Sequence, residues 1–77
     1  MLDEEALLVE FGKRIRRVRD LKSISQEALA HQAELDRSYV SGVERGVRNI
    51  SLKNIYRLAE ALGVSPTEFF VDQKGRT

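Results

Sequence analysis

The sequence predicts an all-α protein: one compact five-helix domain covering residues 1–77. Two observations carry this. Apolar residues recur at spacings of three and four through most of the chain. A residue suited to an N-cap (Asp3, Ser25, Asp36, Ser51, Ser65) stands before each such run, because its side-chain oxygen can accept from a free backbone N–H at a helix start. A chain of 77 residues lies near the lower size limit for a core without staples, so the helices must draw their stability from packing. With no cysteine there is no disulfide framework and no cysteine-based zinc site, which fits a reducing cytoplasm. No apolar run approaches a membrane span, and Asp3-Glu4-Glu5 stands where a signal peptide would carry bases.

The first helix starts at the Asp3 cap, with Glu4 and Glu5 at the positive end of its dipole. Leu8, Phe11, Ile15 and Val18 give it one inward face as far as about Leu21. Gly12 interrupts it, which fits either a close approach by another helix or a frayed or bent start. Ser25 caps a second helix with Leu29, Ala30 and Ala33 inward; the capping-box position holds Ala28 instead of Glu or Gln. Only Glu34 and Leu35 separate it from the Asp36 cap of a third helix, which turns Val40 and Val43 inward and stops at Gly46. Glu34 stands where Gly or Asn is usual, and a left-handed backbone there would cost about 1 kcal/mol. After a loop at 46–50, Ser51 caps a fourth helix with Leu52, Ile55, Leu58, Ala59 and Leu62 inward, ending at Gly63. Ser65-Pro66-Thr67-Glu68 combines a cap, a first-position proline and a capping-box acid, and opens a short fifth helix with Phe69 and Phe70. Residues 72–77 read as a frayed end.

Two short helices joined this tightly over residues 25–45 must cross steeply, and Ala30 and Ala33 permit the close approach. That is the geometry of a helix-turn-helix, whose second helix enters the DNA major groove. Arg37, Ser38, Tyr39 and Ser41 crowd the outward N-terminal half of that helix, where base edges are met. Arginine can donate two hydrogen bonds to guanine, serine can serve several bases, and a tyrosine offers a ring and a hydroxyl. Beyond the helix, Arg45, Arg48 and Asn49 add donors, Arg48 in near-base reach and the other two aimed at phosphates. Charge agrees. The net charge is only +1, yet residues 1–12 hold four acids and no base, while residues 13–57 hold eleven bases against five acids, a balance of +6. A segregated basic region is the electrostatic footprint of a nucleic-acid binder.

The stretch SQEALAHQAELDRSYVSGVERGVRNISLKNIYRLAEALGVSPTEFF resembles the Cro and lambda-repressor (Xre-type) helix-turn-helix family. Its DRSYVSGVER followed by RN is most like the restriction–modification controller proteins. The resemblance implies a lambda-repressor-like fold over roughly residues 11–70. It also implies that Gln26 hydrogen-bonds the DNA backbone and can brace a recognition-helix side chain as well, and that Glu44 pairs with Arg19 as a structural tie. Family members usually read palindromes as two-fold dimers, with recognition helices about 34 Å apart. Ile50, Tyr56, Val64 and Phe70 are the candidate dimer face, whereas Phe69 is better placed in the core.

Catalysis finds little support. His31 is the only histidine, and Glu27 and His31 at i, i+4 offer at most two ligands, so no metal and no cofactor are expected. No nucleophile–base pairing or phosphate-cradling loop is present. The expected function is a cytoplasmic, nucleoid-associated, homodimeric transcriptional regulator, a repressor or controller of a restriction–modification operon, and not an enzyme. An antitoxin or other protein-interaction module with secondary DNA binding is the alternative.

Overall fold

A computed structural model of the chain describes residues 2–71, so the expectation for 72–77 lies outside the described residues. Four α-helices follow one another: α1 (Glu4–Leu21), α2 (Gln26–Ala33), α3 (Arg37–Arg45) and α4 (Leu52–Leu62), then a 3-10 helix at Pro66–Phe70. The expected short fifth helix is therefore present, in the tighter 3-10 form. Ser65 caps it by accepting from Thr67 N at 3.3 Å, and the chain turns extended at Val71 before an α-helical register can build. None of the described helices is long and apolar enough to cross a membrane.

Each α-helix starts where its cap is written. Asp3 Oδ1 accepts from Ala6 N at 3.1 Å, Ser25 Oγ from Ala28 N at 3.0 Å and Ser51 Oγ from Asn54 N at 3.2 Å. Gly46 and Gly63 take the left-handed conformation and end α3 and α4. Glu34 does the same work for α2 without glycine's freedom, at φ 59° and ψ 42°, so that its N–H meets His31 O at 3.1 Å and Leu35 N meets Ala30 O at 2.9 Å. A side chain in that region is strained by roughly 1 kcal/mol. Glu34→Asn, which tolerates the conformation, is expected to raise stability by about 0.5–1 kcal/mol in urea unfolding. A loss of stability instead would mean that the Glu34 side chain contributes a contact of its own.

The core sits where α1 packs on α3 and on the 3-10 helix, and where α2 packs on α3 and α4. Ile15, Leu29, Val40, Leu58 and Phe69 are fully buried there. Each contributes on the order of 1.5–3 kcal/mol of burial. Phe11 closes the α1 side edge-on to Phe69, with ring centroids 5.9 Å apart. Leu52 departs from expectation: it is 71% exposed, because the inward stripe of α4 begins one turn later at Ile55. Gly12 finds its reason here. A Cβ on it would stand 2.5 Å from Glu44 O and closer still to Val43 O, so α1 crosses directly over the last turns of α3.

Candidate nucleic-acid interface

The outward face of α3 is set by what its inward face must do. Val40 and Val43 are buried, which turns Arg37 and Ser38 out into solvent and leaves Tyr39 and Ser41 half-buried at the flanks. The helix start is rigid. Asp36 accepts from the Ser38 N–H at 3.0 Å and also from the Ser38 hydroxyl. These two bonds hold the Asp36 carboxyl below the usual carboxylate range. They also occupy the Ser38 proton, which leaves that hydroxyl its lone pairs as acceptors. One turn on, Arg45 Nε donates to Ser41 Oγ at 3.4 Å, and Arg45 itself is exposed.

The far end of α3 is tied to α1. Arg19 forks onto Glu44, Nε to Oε2 at 2.7 Å and Nη2 to Oε1 at 3.0 Å, and its Nη1 reaches Ile24 O at 2.9 Å. The Glu44 side chain is 3% exposed and that of Arg19 12%. The hydrogen bonds to Glu44 hold the Arg19 guanidinium above its ordinary pKa. Gln26, the first residue of α2, adds its Nε2 to Glu44 Oε1 at 3.0 Å, so α1 and α2 converge on one carboxylate of α3. Gln26 keeps a second N–H and its carbonyl oxygen for an outside partner.

In the loop after α3, Asn49 Oδ1 accepts from Ile50 N at 2.8 Å, which leaves the amide N–H groups as donors on an exposed side chain. Arg48 lies over the Tyr39 ring, 5.2 Å from its centroid. It can do so because Gly42 carries no side chain: a Cβ there would collide with Arg48 Cγ. Asn54 of α4 donates to the Tyr39 hydroxyl at 3.1 Å. Sequence reasoning passed over both. Gly42 carried a signal, as a glycine inside a nine-residue helix costs about 1 kcal/mol against alanine and asks for a close approach. Asn54 carried none, since a polar third residue in a helix is unremarkable.

The candidate dimer residues are placed unevenly. Tyr56 and Phe70 are 58% and 52% exposed, whereas Ile50 and Val64 are half-buried and pack against the core. Tyr56 and Val64 line one depression together with Pro66, while Phe70 rests on Phe11 with ring centroids 5.4 Å apart. The exposed Leu52 lies one turn before Tyr56 on α4. His31 is exposed, and among the described residues no group of three or more metal-ligating side chains comes together.

The helix-turn-helix family model matches residues 15–69, the whole span from mid-α1 to the 3-10 helix. The chain belongs to the Xre-type helix-turn-helix family. Within that family it is similar to control proteins. The control protein C.BamHI of Bacillus amyloliquefaciens is 49% identical over 59 residues, 75% of this chain and 73% of that protein. Among solved structures, the restriction-modification controller protein C.AhdI from Aeromonas hydrophila superposes with a TM-score of 0.83 at 58% identity, over 84% of this chain and 98% of that one. The restriction-modification controller protein C.Esp1396I, seen as a tetramer in complex with its natural 35 base-pair operator, superposes with a TM-score of 0.76 at 39% identity, over 83% and 84% of the two chains. Members of this Xre-type family among these relatives are regulators, not enzymes.

Proposed function

We propose that this chain is a sequence-specific, double-stranded-DNA-binding transcriptional regulator that binds a palindromic operator as a homodimer and controls a restriction–modification operon. It works in the cytoplasm, on the nucleoid when bound. The observation that carries the reading is the α2–α3 pair. Capped at both starts and tied by Glu44, it turns Arg37 and Ser38 outward, in a chain 39% identical to a protein seen on its operator. Arg37, Ser38, Tyr39, Ser41 and Arg48 read or approach bases, and Gln26, Arg45 and Asn49 set register on phosphates. The deciding experiment is selection of bound sites from a random DNA pool, with the mass of the protein in solution measured alongside. A palindromic motif with half-sites about 34 Å apart, bound by a dimer, supports the reading. No enriched motif, with binding that fades uniformly as salt rises, overturns it.

Phosphate contacts position and base contacts specify, so the two groups part on mutation. Arg37→Ala is expected to cost about 1–3 kcal/mol on the selected duplex and to relax one base pair, whereas Arg45→Ala weakens selected and scrambled duplexes alike. Equal losses on both duplexes for Arg37→Ala would remove its base-reading role.

The dimer face is proposed on α4, where Leu52 and Tyr56 are exposed and Val64 shares a depression with Tyr56. A charge in its middle is expected to leave a monomer. Tyr56→Asp should then bind the palindrome about 100-fold more weakly, because the second half-site no longer gains from the first. Sedimentation that still shows a dimer of unchanged affinity would place the interface elsewhere.

A further inference from the structure

Tyr39, Arg48 and Asn54 come from α3, from the loop that follows it and from α4, and they meet at one point. Asn54 Nδ2 donates to Tyr39 Oη at 3.1 Å, and the Arg48 guanidinium lies over the ring, 5.2 Å from its centroid. Asn54 is itself anchored, since its backbone N–H donates to the Ser51 cap. The ring is half-buried and packs against the core, so it is held at its root, on one face and at its tip. A phenol O–H lies in the plane of its ring, where conjugation leaves it two positions. The Asn54 amide approaches the oxygen as a donor and takes up an acceptor site there, so the Tyr39 proton is aimed the other way.

We propose that Asn54 is a positioning residue for DNA recognition: it makes the Tyr39 hydroxyl a fixed hydrogen-bond donor beside the Arg48 guanidinium, and the unit takes a proton-free acceptor on DNA. Phosphate oxygens and the base-edge acceptors guanine O6, guanine N7 and thymine O4 all qualify, while the amino groups of adenine and cytosine do not. This rests on the DNA-binding function proposed above and adds to it a residue and a polarity.

The test reverses the polarity and keeps the bond. Asn54→Asp is nearly isosteric, and its carboxylate accepts from Tyr39, which turns the hydroxyl proton inward. A residue that only steadied the ring would be replaced equally well by this reversed bond. Affinity is measured for the wild-type chain, Asn54→Asp, Tyr39→Phe and the double variant, with urea midpoints recorded for each. The probes are a duplex selected by the wild-type chain from a random pool and a scrambled duplex of equal length. The added charge weakens binding by the same factor whether or not residue 39 has its hydroxyl, and the double variant measures that factor. Asn54→Asp is expected to lose about tenfold more affinity with Tyr39 present than in the Tyr39→Phe background, at an unchanged urea midpoint. Equal losses in the two backgrounds overturn the proposal. Coupling on both duplexes assigns the acceptor to phosphate, and coupling confined to the selected duplex assigns it to a base edge. A wild-type chain that selects no duplex overturns the regulator reading itself, whereas selection with additive variants overturns only the role of Asn54.

Discussion

Glu44→Ala is expected to cost about 3–5 kcal/mol of folding stability, because it leaves the Arg19 guanidinium walled in without its carboxylate. The whole stability of a domain this size is roughly 4–12 kcal/mol, so a large part of it rests on one side chain. The Arg19 side chain is 12% exposed and sends two of its three nitrogens to Glu44, and Gln26 loses its acceptor at the same stroke. Thermal unfolding should show a drop of roughly 12 °C or more. Arg19→Ala should cost a similar amount, and the double variant far less than the two losses added, since each single change leaves one charge unpaired. Single losses below about 1 kcal/mol that simply add would make the pair no more than a surface ion pair. The same variants should also blunt DNA binding, because the Gln26 side chain and the end of α3 are aimed through this carboxylate.

That tie was legible only through resemblance. Arg19 and Glu44 stand 25 residues apart, and neither the periodicity nor the charge pattern names the partner of either. The helix starts were legible from the residues alone, because a cap is a local bond: Asp36, for instance, serves an N–H two residues on. Glu34 shows the limit of such local reading. The sequence marks it as standing where Gly or Asn is usual and leaves its left-handed backbone a condition, which the structure meets at φ 59° because α2 must give way to a steeply crossing α3 within two residues. The 3-10 helix did not follow from its cap, since Ser65-Pro66 announces a helix start and says nothing of how soon the chain must leave. Leu52 was misplaced for a related reason. Its spacing from Ile55 and Ala59 fits an inward stripe, but periodicity assigns a face without saying where the neighbouring helix ends.

The candidate site divides in the same way. Arg37 and Ser38 were placed outward by the inward demand of Val40 and Val43, and the structure leaves both exposed. The sequence places the ring and hydroxyl of Tyr39 on that face but does not show that Asn54, 15 residues away, and Arg48 hold it. Such side-chain unions depend on how the loop after α3 folds back, which no helical pattern encodes. A glycine is the trace they leave, and Gly42 beside Arg48 is one such trace.

Gly12→Ala is expected to destabilise the chain by at least about 3 kcal/mol, at or beyond the upper end of ordinary overpacking. The sign is what makes the result informative. In the middle of a helix this substitution usually stabilises by about 1 kcal/mol, through the conformational entropy that glycine loses on folding. Here the new methyl would stand 2.5 Å from Glu44 O and 2.8 Å from Glu44 C, with Val43 O nearer than either. Those are backbone atoms, and they have no side-chain torsion by which to yield. The Val43 carbonyl already accepts from Gly46 N at 3.0 Å, so shifting it loosens the turn that ends α3. The turn also lies against α1, where a Cβ on Gly46 would come within 2.6 Å of Val9 Cα. Gly63→Ala provides the contrast, since a Cβ there meets nothing within 4 Å and pays only for its φ of +71°. It should cost roughly 1 kcal/mol, and the gap between the two variants in urea unfolding measures the steric part. Because the methyl pushes on the backbone that carries Glu44, Gly12→Ala and Glu44→Ala should be non-additive, the second costing less once the first has displaced the pair. A Gly12→Ala variant as stable as the wild type would mean that α1 can shift at this crossing without loss, its other packing against α3 holding the two helices together.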